Sequence, residues 1–419
     1  MTLLAEASTL EELYSAHFGH GRTALGRMLG GTVEVESDGA WVVDSEGARY
    51  LDFGGYGVYL LGHRHPEVTA AVHQQIDRHP MATRVFYEPA AAHAAAELAS
   101  VTPGDLDLVH FVNSGAEATE AAIKLARANG KTALITTRNG FHGKTMGALS
   151  VTANPLYQRP FEPLISEVTT VSYGDIQELE VALSAVAGRG CFIVEPVQGE
   201  AGVNIPPAGY LREAADLCQR YDALLVVDEI QTGLGRLGSW WGIDQAGVVP
   251  DMLLVGKGLS GGVIPVAALV ARPTVYAPFA RDPYLHTSTF AGAPVACAAA
   301  SATIKAMRAG RLPERAAIIG RTLAEGLARA LEQQAPSHKV ELRARGLLIG
   351  LEFEEPGLVG ELFLGLVERG VLANHSLNNP TVLRFTPPAI LSESEIGHFL
   401  EIFASALAEL PAPAIARSK

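Results

Sequence analysis

The sequence contains little cysteine, no excess of basic charge and no long apolar run. Its three cysteines, Cys191, Cys218 and Cys297, are far apart among 419 residues and form no C-x-x-C pair. A sparse, odd set of this kind indicates reduced thiols in a cytoplasmic protein rather than a disulfide framework. The segment Met1–Leu13 lacks the basic stretch that opens a secretory signal, so we expect no such signal.

The charge balance and the hydropathy pattern exclude further classes of protein. The 32 basic and 45 acidic residues give a net charge of −13, whereas a general nucleic-acid binder needs a basic face. No uninterrupted apolar stretch reaches the roughly 18 residues of a membrane span. Hydrophobic residues make up 48 % of the chain and charged residues 18 %. The chain can therefore bury a sizeable core, and a disordered protein is excluded.

Apolar runs of strand length alternate with helical periodicity between residues 64 and 310. The predicted strands lie near 109–112, 133–136, 191–194, 223–227, 252–255 and 266–270, with helices at 115–129 and 210–221. Buried strands that alternate with helices indicate an α/β layer with a mostly parallel sheet.

Shorter elements are predicted on both sides of this layer. A small antiparallel sheet is expected at 32–53, an amphipathic helix at 314–333 and a mixture of strands and helices at 346–411. We therefore expect an α/β protein with three parts and a frayed tail, Pro411–Lys419. The parts are an N-terminal segment, 1–63, that contributes to a small domain, a large domain, 64–310, with the mostly parallel sheet, and a smaller α+β domain, 311–419.

Small residues follow the first predicted strand of the layer, where a helix begins. Ser114, Gly115 and Ala116 precede Glu117, and free backbone N–H groups at a helix start can hold a phosphate. The alternative is structural, because Ser114 and Glu117 also have the spacing of a capping box.

An acid and a lysine follow two other predicted strands. Asp228 ends one strand, and Lys257 follows another between Gly256 and Gly258. A desolvated lysine can form a Schiff base, and an acid at a strand end requires a cation or strong donors. Taken alone, Asp228 could instead be a helix cap or part of a structural ion pair, and Lys257 could be a surface lysine beside a flexible loop. Together with the phosphate seat, they form the set that pyridoxal phosphate (PLP) requires.

Two other patterns favour no ligand. The motif Gly233–Gly238 fits G-x-G-x-x-G, but no helix follows it directly, which speaks against a dinucleotide site. His63 and His65 flank Arg64 without a cysteine nearby, so we expect a turn and no metal site.

Eight ordered motifs between about residues 50 and 388 resemble the class III, ornithine aminotransferase-like branch of the PLP-dependent aminotransferases. They are LDFGGYGVYLLGHRHP (51–66), FVNSGAEATEAAIKLA (111–126), GFHGKTMGALS (140–150), VEPVQGEAGV (194–203), VVDEIQTGLGRLG (226–238), LLVGKGLSGG (253–262), HTSTFAGAP (286–294) and LRFTPP (383–388). Among subfamilies, the stretches look most similar to those of the putrescine aminotransferases. The resemblance implies the fold type I architecture, PLP as cofactor and a homodimer.

The resemblance also implies roles for single residues around the cofactor. Lys257 would form the imine and shuttle the proton, and Asp228 would pair with the pyridine nitrogen. Ser114, Gly115 and Ala116 would hold the phosphate, and Thr289 would be a phosphate contact from the neighbouring subunit. The remaining cofactor contacts implied by the motifs are Phe141 on the ring, Gln231 near the ring hydroxyl and Glu195 beside the cofactor.

The resemblance also implies substrate-binding residues, although the sequence departs from the family pattern at one of them. Arg384 would receive the carboxylate of the amino-group partner, and Glu200 would cover it when an uncharged group is bound. A surface arginine on a strand is the alternative for Arg384. Lys144 stands where ornithine-type enzymes have arginine, which favours a substrate without an α-carboxylate. Tyr56 lies in the segment 54–61, which we expect to help form the substrate pocket.

The implied reaction is transamination between a terminal primary amine, such as a diamine, and a 2-oxo acid such as 2-oxoglutarate or pyruvate. Four alternatives stay open. They are an ornithine or acetylornithine type of reaction, amination of a specialised or carrier-tethered aldehyde, an aminomutase of the glutamate-semialdehyde kind and a non-enzymatic cofactor-binding module.

Overall fold

The computed structural model describes residues 7–411, without the side chains of residues 7–9 and 356. Apart from Pro411, the predicted frayed tail lies outside this range. The strands are β1 Glu34–Asp38, β2 Trp41–Asp44, β3 Arg49–Asp52, β4 Leu108–Val112, β5 Ala133–Thr137, β6 Val168–Val171, β7 Gly190–Val194, β8 Leu224–Asp228, β9 Met252–Val255, β10 Ala267–Ala271, β11 Val340–Arg345, β12 Leu348–Phe353, β13 Val371–Leu372, β14 Asn374–His375 and β15 Val382–Phe385.

The α-helices of this range alternate with these strands over much of the chain. They are α1 Ala7–His17, α2 His20–Met28, α3 Pro66–Arg78, α4 Pro89–Ala99, α5 Gly115–Ala128, α6 Met146–Val151, α7 Pro155–Gln158, α8 Ile176–Val186, α9 Tyr210–Arg220, α10 Pro273–Arg281, α11 Pro294–Ala309, α12 Leu312–Gln334, α13 Pro356–Glu368 and α14 Glu393–Ala408. Within the described residues, no helix is both long and apolar enough to cross a membrane.

A seven-stranded sheet forms the centre of the fold, in the order β4-β10-β9-β8-β7-β5-β6. Four of its pairings are parallel, and β10 is antiparallel to both of its neighbours. The predicted α/β class and mostly parallel sheet are therefore confirmed. Every residue of β7, β8 and β9 is buried, as expected for strands covered on both faces by helices.

Alternate residues of the central strands pack into two different hydrophobic clusters. Val194, Val227 and Val255 belong to one cluster, whereas the neighbouring Ile193 and Val226 belong to the other. This alternation follows from the two-residue period of a strand. It gives the sheet a core on each face and leaves its carboxyl edge free to form a site.

Two four-stranded sheets flank the central one. The predicted sheet at 32–53 is present as β1, β2 and β3, and β13 joins it in parallel from near the other end of the chain. The second small sheet has the antiparallel order β11-β12-β15-β14. The predicted domain boundaries after residues 63 and 310 stay predictions.

Candidate active site

One cavity of about 200 Å³ lies where several strands of the central sheet end. The strands β7, β8 and β9 run parallel, so the residues that follow them meet at one edge. Open α/β sheets bind ligands at this edge. The residues that line the cavity are Gly115, Ala116, Phe141, His142, Gly143, Glu195, Glu200, Asp228, Ile230, Gln231 and Lys257.

Lys257 begins a short 3₁₀ turn directly after β9 and Gly256. Its backbone has a φ of +46°, a left-handed conformation that few lysines adopt. Burial lowers the pKa of its ammonium, and the nearby Arg384 lowers it further, against the opposing charges of Glu200 and Asp228. A lowered pKa leaves more of the amine in the neutral, nucleophilic form.

Asp228 is the last residue of β8 and is 3 % exposed. Its Oδ2 lies 2.7 Å from Nδ1 of the buried His142, and its Oδ1 accepts a hydrogen bond from the Ile230 N–H at 3.1 Å. Burial opposes a charge on His142, but the hydrogen bond and charge of Asp228 raise the imidazole pKa overall. The contact with His142 therefore holds the Asp228 carboxylate in place in the lining of the cavity.

The N-terminus of α5 forms one wall of the cavity. Gly115 is the first helical residue, and a Cβ atom there would lie 2.6 Å from Cδ1 of Ile230. Ser114 caps the helix by accepting a hydrogen bond from the Glu117 N–H, whereas the Glu117 carboxylate binds the N–H and the side chain of Asn113. The cap is therefore present without the reciprocal capping box, and Gly115 and Ala116 still face the cavity.

Phe141 and Glu195 are coupled beside this wall. The Phe141 N–H donates a hydrogen bond of 3.0 Å to Oε2 of Glu195. Burial raises the pKa of Glu195 to about 7, and the charge of Asp228 adds to this rise while His142 opposes it. Gln231 lines the cavity beside them, with its Nε2 3.4 Å from Oε1 of Glu200.

Arg384 lies in the middle of β15 and is completely buried, so the alternative of a surface arginine is wrong. Its Nη1 is 2.9 Å from Oε1 of Glu200, yet none of its guanidinium nitrogens has a hydrogen-bond partner among the described residues. Burial would raise the Glu200 pKa, but the charges of Arg384 and Lys257 lower it overall. An arginine with free donors is suited to bind a carboxylate.

The segment 54–61 is fixed from two sides. Oδ1 of Asp52 accepts from the Gly54 N–H at 2.8 Å, and its Oδ2 lies 2.8 Å from Nε2 of His63. The buried Arg236, from the glycine-rich motif, donates to the Gly57 carbonyl at 3.2 Å. Both motifs that sequence reasoning set aside thus hold the predicted substrate segment in place.

Five predicted site residues lie outside the set that lines the cavity. One of them is Arg384, whose Nη1 contacts Glu200 of the lining. Ser114 is exposed, and Tyr56 is 61 % exposed. Nζ of Lys144 lies 3.8 Å from the ring centroid of Tyr157. Thr289 belongs to an exposed segment. Their roles stay predictions.

Sequence reasoning missed three residues that line the cavity, His142, Gly143 and Ile230, and His142 is the one with an ionisable side chain. It lies inside a motif that was recognised, but its contact with Asp228 joins positions 86 residues apart. The only sequence signal was its position directly after the predicted ring contact, Phe141.

The residues present fit a PLP cofactor by their chemistry. One cavity brings together an amine, a buried carboxylate, a glycine-lined helix start and an aromatic side chain, from Lys257, Asp228, Gly115 and Phe141. These groups match the carbonyl, the pyridine nitrogen, the phosphate and the ring of the cofactor. Fold and site together define a PLP-dependent transferase of fold type I.

The sequence matches the class III aminotransferase family over residues 27–407, and the chain belongs to this family. It is therefore a PLP-dependent aminotransferase, which acts on an amine and a 2-oxo acid. The chain is 40 % identical over 381 residues to the putrescine aminotransferase of Pectobacterium atrosepticum, a match that covers 88 % of this chain and 81 % of the relative.

Solved structures show the same architecture. An ornithine aminotransferase from Toxoplasma gondii, with PLP at partial occupancy in its active site, superposes with a TM-score of 0.85 and 34 % identity over 90 % of each chain. An (S)-enantioselective omega-transaminase from Thermomicrobium roseum superposes with a TM-score of 0.88 and 31 % identity, over 97 % of this chain and 99 % of that chain.

Proposed function

We propose that this aminotransferase moves the amino group of a terminal primary amine, such as a diamine, to a 2-oxo acid such as 2-oxoglutarate or pyruvate. The observation that carries the proposal is the buried pair of Glu200 and Arg384, since Glu200 lines the cavity together with Lys257 and lies 2.9 Å from Arg384. Such a pair allows either an uncharged group or a carboxylate to bind at the same position. The similarity to a putrescine aminotransferase supports the amine class.

Each residue of the cavity has a separate role in the proposed reaction. PLP, when bound, withdraws electrons from the carbon that bears the amino group, which makes the proton on that carbon acidic. The Lys257 amine would accept this proton as general base and, as an ammonium group, would donate it again as general acid on the other side of the amino nitrogen. Asp228, in contact with His142, would hold the proton of the pyridine nitrogen. The start of α5 would bind the phosphate, and Phe141 would cover the ring.

The Glu200–Arg384 pair allows two unlike substrates to use the same position. While an amine without an α-carboxylate is bound, Glu200 neutralises the buried guanidinium of Arg384. When a 2-oxo acid enters, its carboxylate replaces the Glu200 carboxylate beside the guanidinium of Arg384. Lys144, whose ammonium rests over the Tyr157 ring, adds no fork-like site for a second carboxylate.

We also propose a cytoplasmic homodimer with shared active sites. Thr289 and the apolar segment around Phe86 belong to one exposed surface, because Nη2 of Arg84 donates to the carbonyls of Ser288 and Thr289 at 2.9 Å. Phe86 is 81 % exposed and Tyr87 is fully exposed. A second copy would cover this surface and would bring its Thr289 to the phosphate. The three free, buried cysteines suit the cytoplasm.

The proposal is tested by following the absorbance band of the lysine-bound cofactor in single half-reactions. Putrescine and cadaverine should bleach the band of the holoenzyme, and 2-oxoglutarate or pyruvate should restore it. Lys257→Ala, the matched control, should show neither the band nor turnover. Bleaching by ornithine alone would replace the diamine with an ornithine-type donor. Turnover of a single substrate without an added acceptor would identify an aminomutase.

A further inference from the structure

The hairpin that carries Arg384 also contacts the carboxylate that covers Arg384. Strands β14 and β15 pair with Asn374 opposite Arg384, and residues 376–381 form the tip between them. The N–H of Leu377 in this tip donates to Oε2 of Glu200 at 3.2 Å, and the next N–H, of Asn378, donates to the Glu200 carbonyl at 2.9 Å. Glu200 is thus held by the tip as well as by Arg384.

The Asn378 side chain fixes this tip to the central part of the fold. Its Nδ2 donates to the Asn139 carbonyl, just after β5, at 2.8 Å. Its Oδ1 accepts from Nδ2 of Asn154, the residue before α7, at 3.0 Å. The Tyr157 hydroxyl adds a 2.8 Å bond to the Leu377 carbonyl. The tip is therefore anchored to two elements that do not belong to its own sheet.

We propose that Asn378 is a positioning residue that sets how readily Glu200 leaves Arg384. It would thereby set the affinity for uncharged amines relative to the affinity for carboxylates. The inference rests on the proposed role of the Glu200–Arg384 pair. A fixed tip keeps the Leu377 N–H aimed at Glu200, which favours the arrangement that accepts an uncharged group. Freeing the tip weakens one charge-assisted hydrogen bond to Glu200 and leaves Arg384 more available to a carboxylate.

The expected result for Asn378→Ala is a split between the half-reactions of the holoenzyme. The KM for putrescine should rise about three- to tenfold, as expected for weakening one hydrogen bond to a charged group. The KM for 2-oxoglutarate should stay the same or fall. A merely structural role would raise both values together, and that outcome would overturn the inference.

Asn379→Ala is the matched control, because it removes the neighbouring amide of the same tip. The Asn379 side chain binds Glu352 and Thr381, within its own sheet, so this variant should leave the ratio of the two KM values unchanged. An equal shift of the ratio in both variants would contradict a specific role of Asn378.

A second variant keeps the test decisive if Asn378→Ala does not fold. Asn154→Ala removes one anchor and leaves the bond of Asn378 to the Asn139 carbonyl, so the same split should appear at smaller size.

Arg384→Gln separates this inference from the proposed function. If it leaves the 2-oxoglutarate half-reaction intact, the proposed function fails. If it abolishes that half-reaction while neither Asn378→Ala nor Asn154→Ala changes the ratio of the two KM values, only the present inference fails.

Discussion

The pair of Asp228 and His142 shows how single residues set the electrostatics of this site. A buried carboxylate is costly unless donors surround it, and Asp228 has two, the His142 imidazole and the Ile230 N–H. Nε2 of His142 has no hydrogen-bond partner among residues 7–411. Asp228 is therefore the hydrogen-bond partner of the imidazole, and this contact raises the pKa of His142 above its ordinary value.

Replacing His142 by asparagine should keep a donor for Asp228 but remove the charge. We expect kcat to fall about tenfold, because a charge-assisted hydrogen bond becomes a neutral one. The folded-state pKa of His142 lies above its unfolded value, so the stability gained from its charge is complete below pH 6.5 and is lost as pH rises through the folded value. Thermal unfolding of wild type and variant should therefore differ less at high pH.

Ile193→Val is a suitable control for these measurements, since it changes a buried residue of β7 outside the cavity. It should lower stability by a similar amount at every pH and leave kcat unchanged. A difference in thermal stability between wild type and His142→Asn that grows with pH would contradict the charge assigned to His142.

The sequence was sufficient to predict the residues whose chemistry is visible next to a strand end. Lys257 and Asp228 each follow a buried apolar run, and the topology alone brings such ends to one edge. His142 could not be found in this way, because its role depends on a contact across the fold. The same holds for the Leu377 N–H, since a backbone donor has no signature in the sequence.

At the scale of elements, the start of α5 is shaped by a glycine from another segment. Gly143 has a φ of +119°, and a Cβ atom there would lie 2.7 Å from Cβ of Ala116. Only glycine combines this backbone conformation with such a close approach. The first turn of α5 can therefore face the cavity at Gly115 and Ala116.

Gly143→Ala should weaken cofactor binding. The added methyl group displaces Ala116 at the helix start, and we expect the Kd for PLP to rise about tenfold, the loss of one good hydrogen bond to a phosphate. Titration of the apoenzyme with PLP, followed by absorbance, measures this change. Gly130→Ala is the control at the other end of α5, because its φ is +78° but nothing lies within 4 Å of the added Cβ. It should cost about 1 kcal/mol of stability and leave the Kd unchanged.

Elements with a strong apolar period were predictable, and those without one were not. The helix expected at 314–333 is α12, Leu312–Gln334, and the strands expected within 346–411 include β12. The edge strand β6 was missed because two of its four residues are exposed threonines, which leaves little apolar signal. The direction of β10 was not predictable either, because a strand buried on both faces reads the same in both directions.

At the scale of the whole molecule, the site lies on a single chain except for the predicted phosphate contact of Thr289. Asn113 donates to the Ser288 hydroxyl at 3.0 Å, which fixes the segment of Thr289 on the outer surface beside Phe86. No intrachain contact brings Thr289 into the described lining of the cavity. The proposed role of Thr289 is therefore a contact with the phosphate site of a second subunit.

Mixed dimers of two inactive or weakened variants test this arrangement. Lys257→Ala removes the reactive amine, and Thr289→Ala removes the hydroxyl predicted for the neighbouring site. In a dimer with one copy of each, the subunit with Thr289→Ala keeps Lys257 and receives an intact Thr289 from its partner. One of the two sites is then complete, so doubly tagged mixed dimers should recover up to about half of the wild-type kcat and the wild-type affinity for PLP. If Thr289 acts within its own subunit, no complete site forms, and the mixed dimer should show only the cofactor affinity of Thr289→Ala.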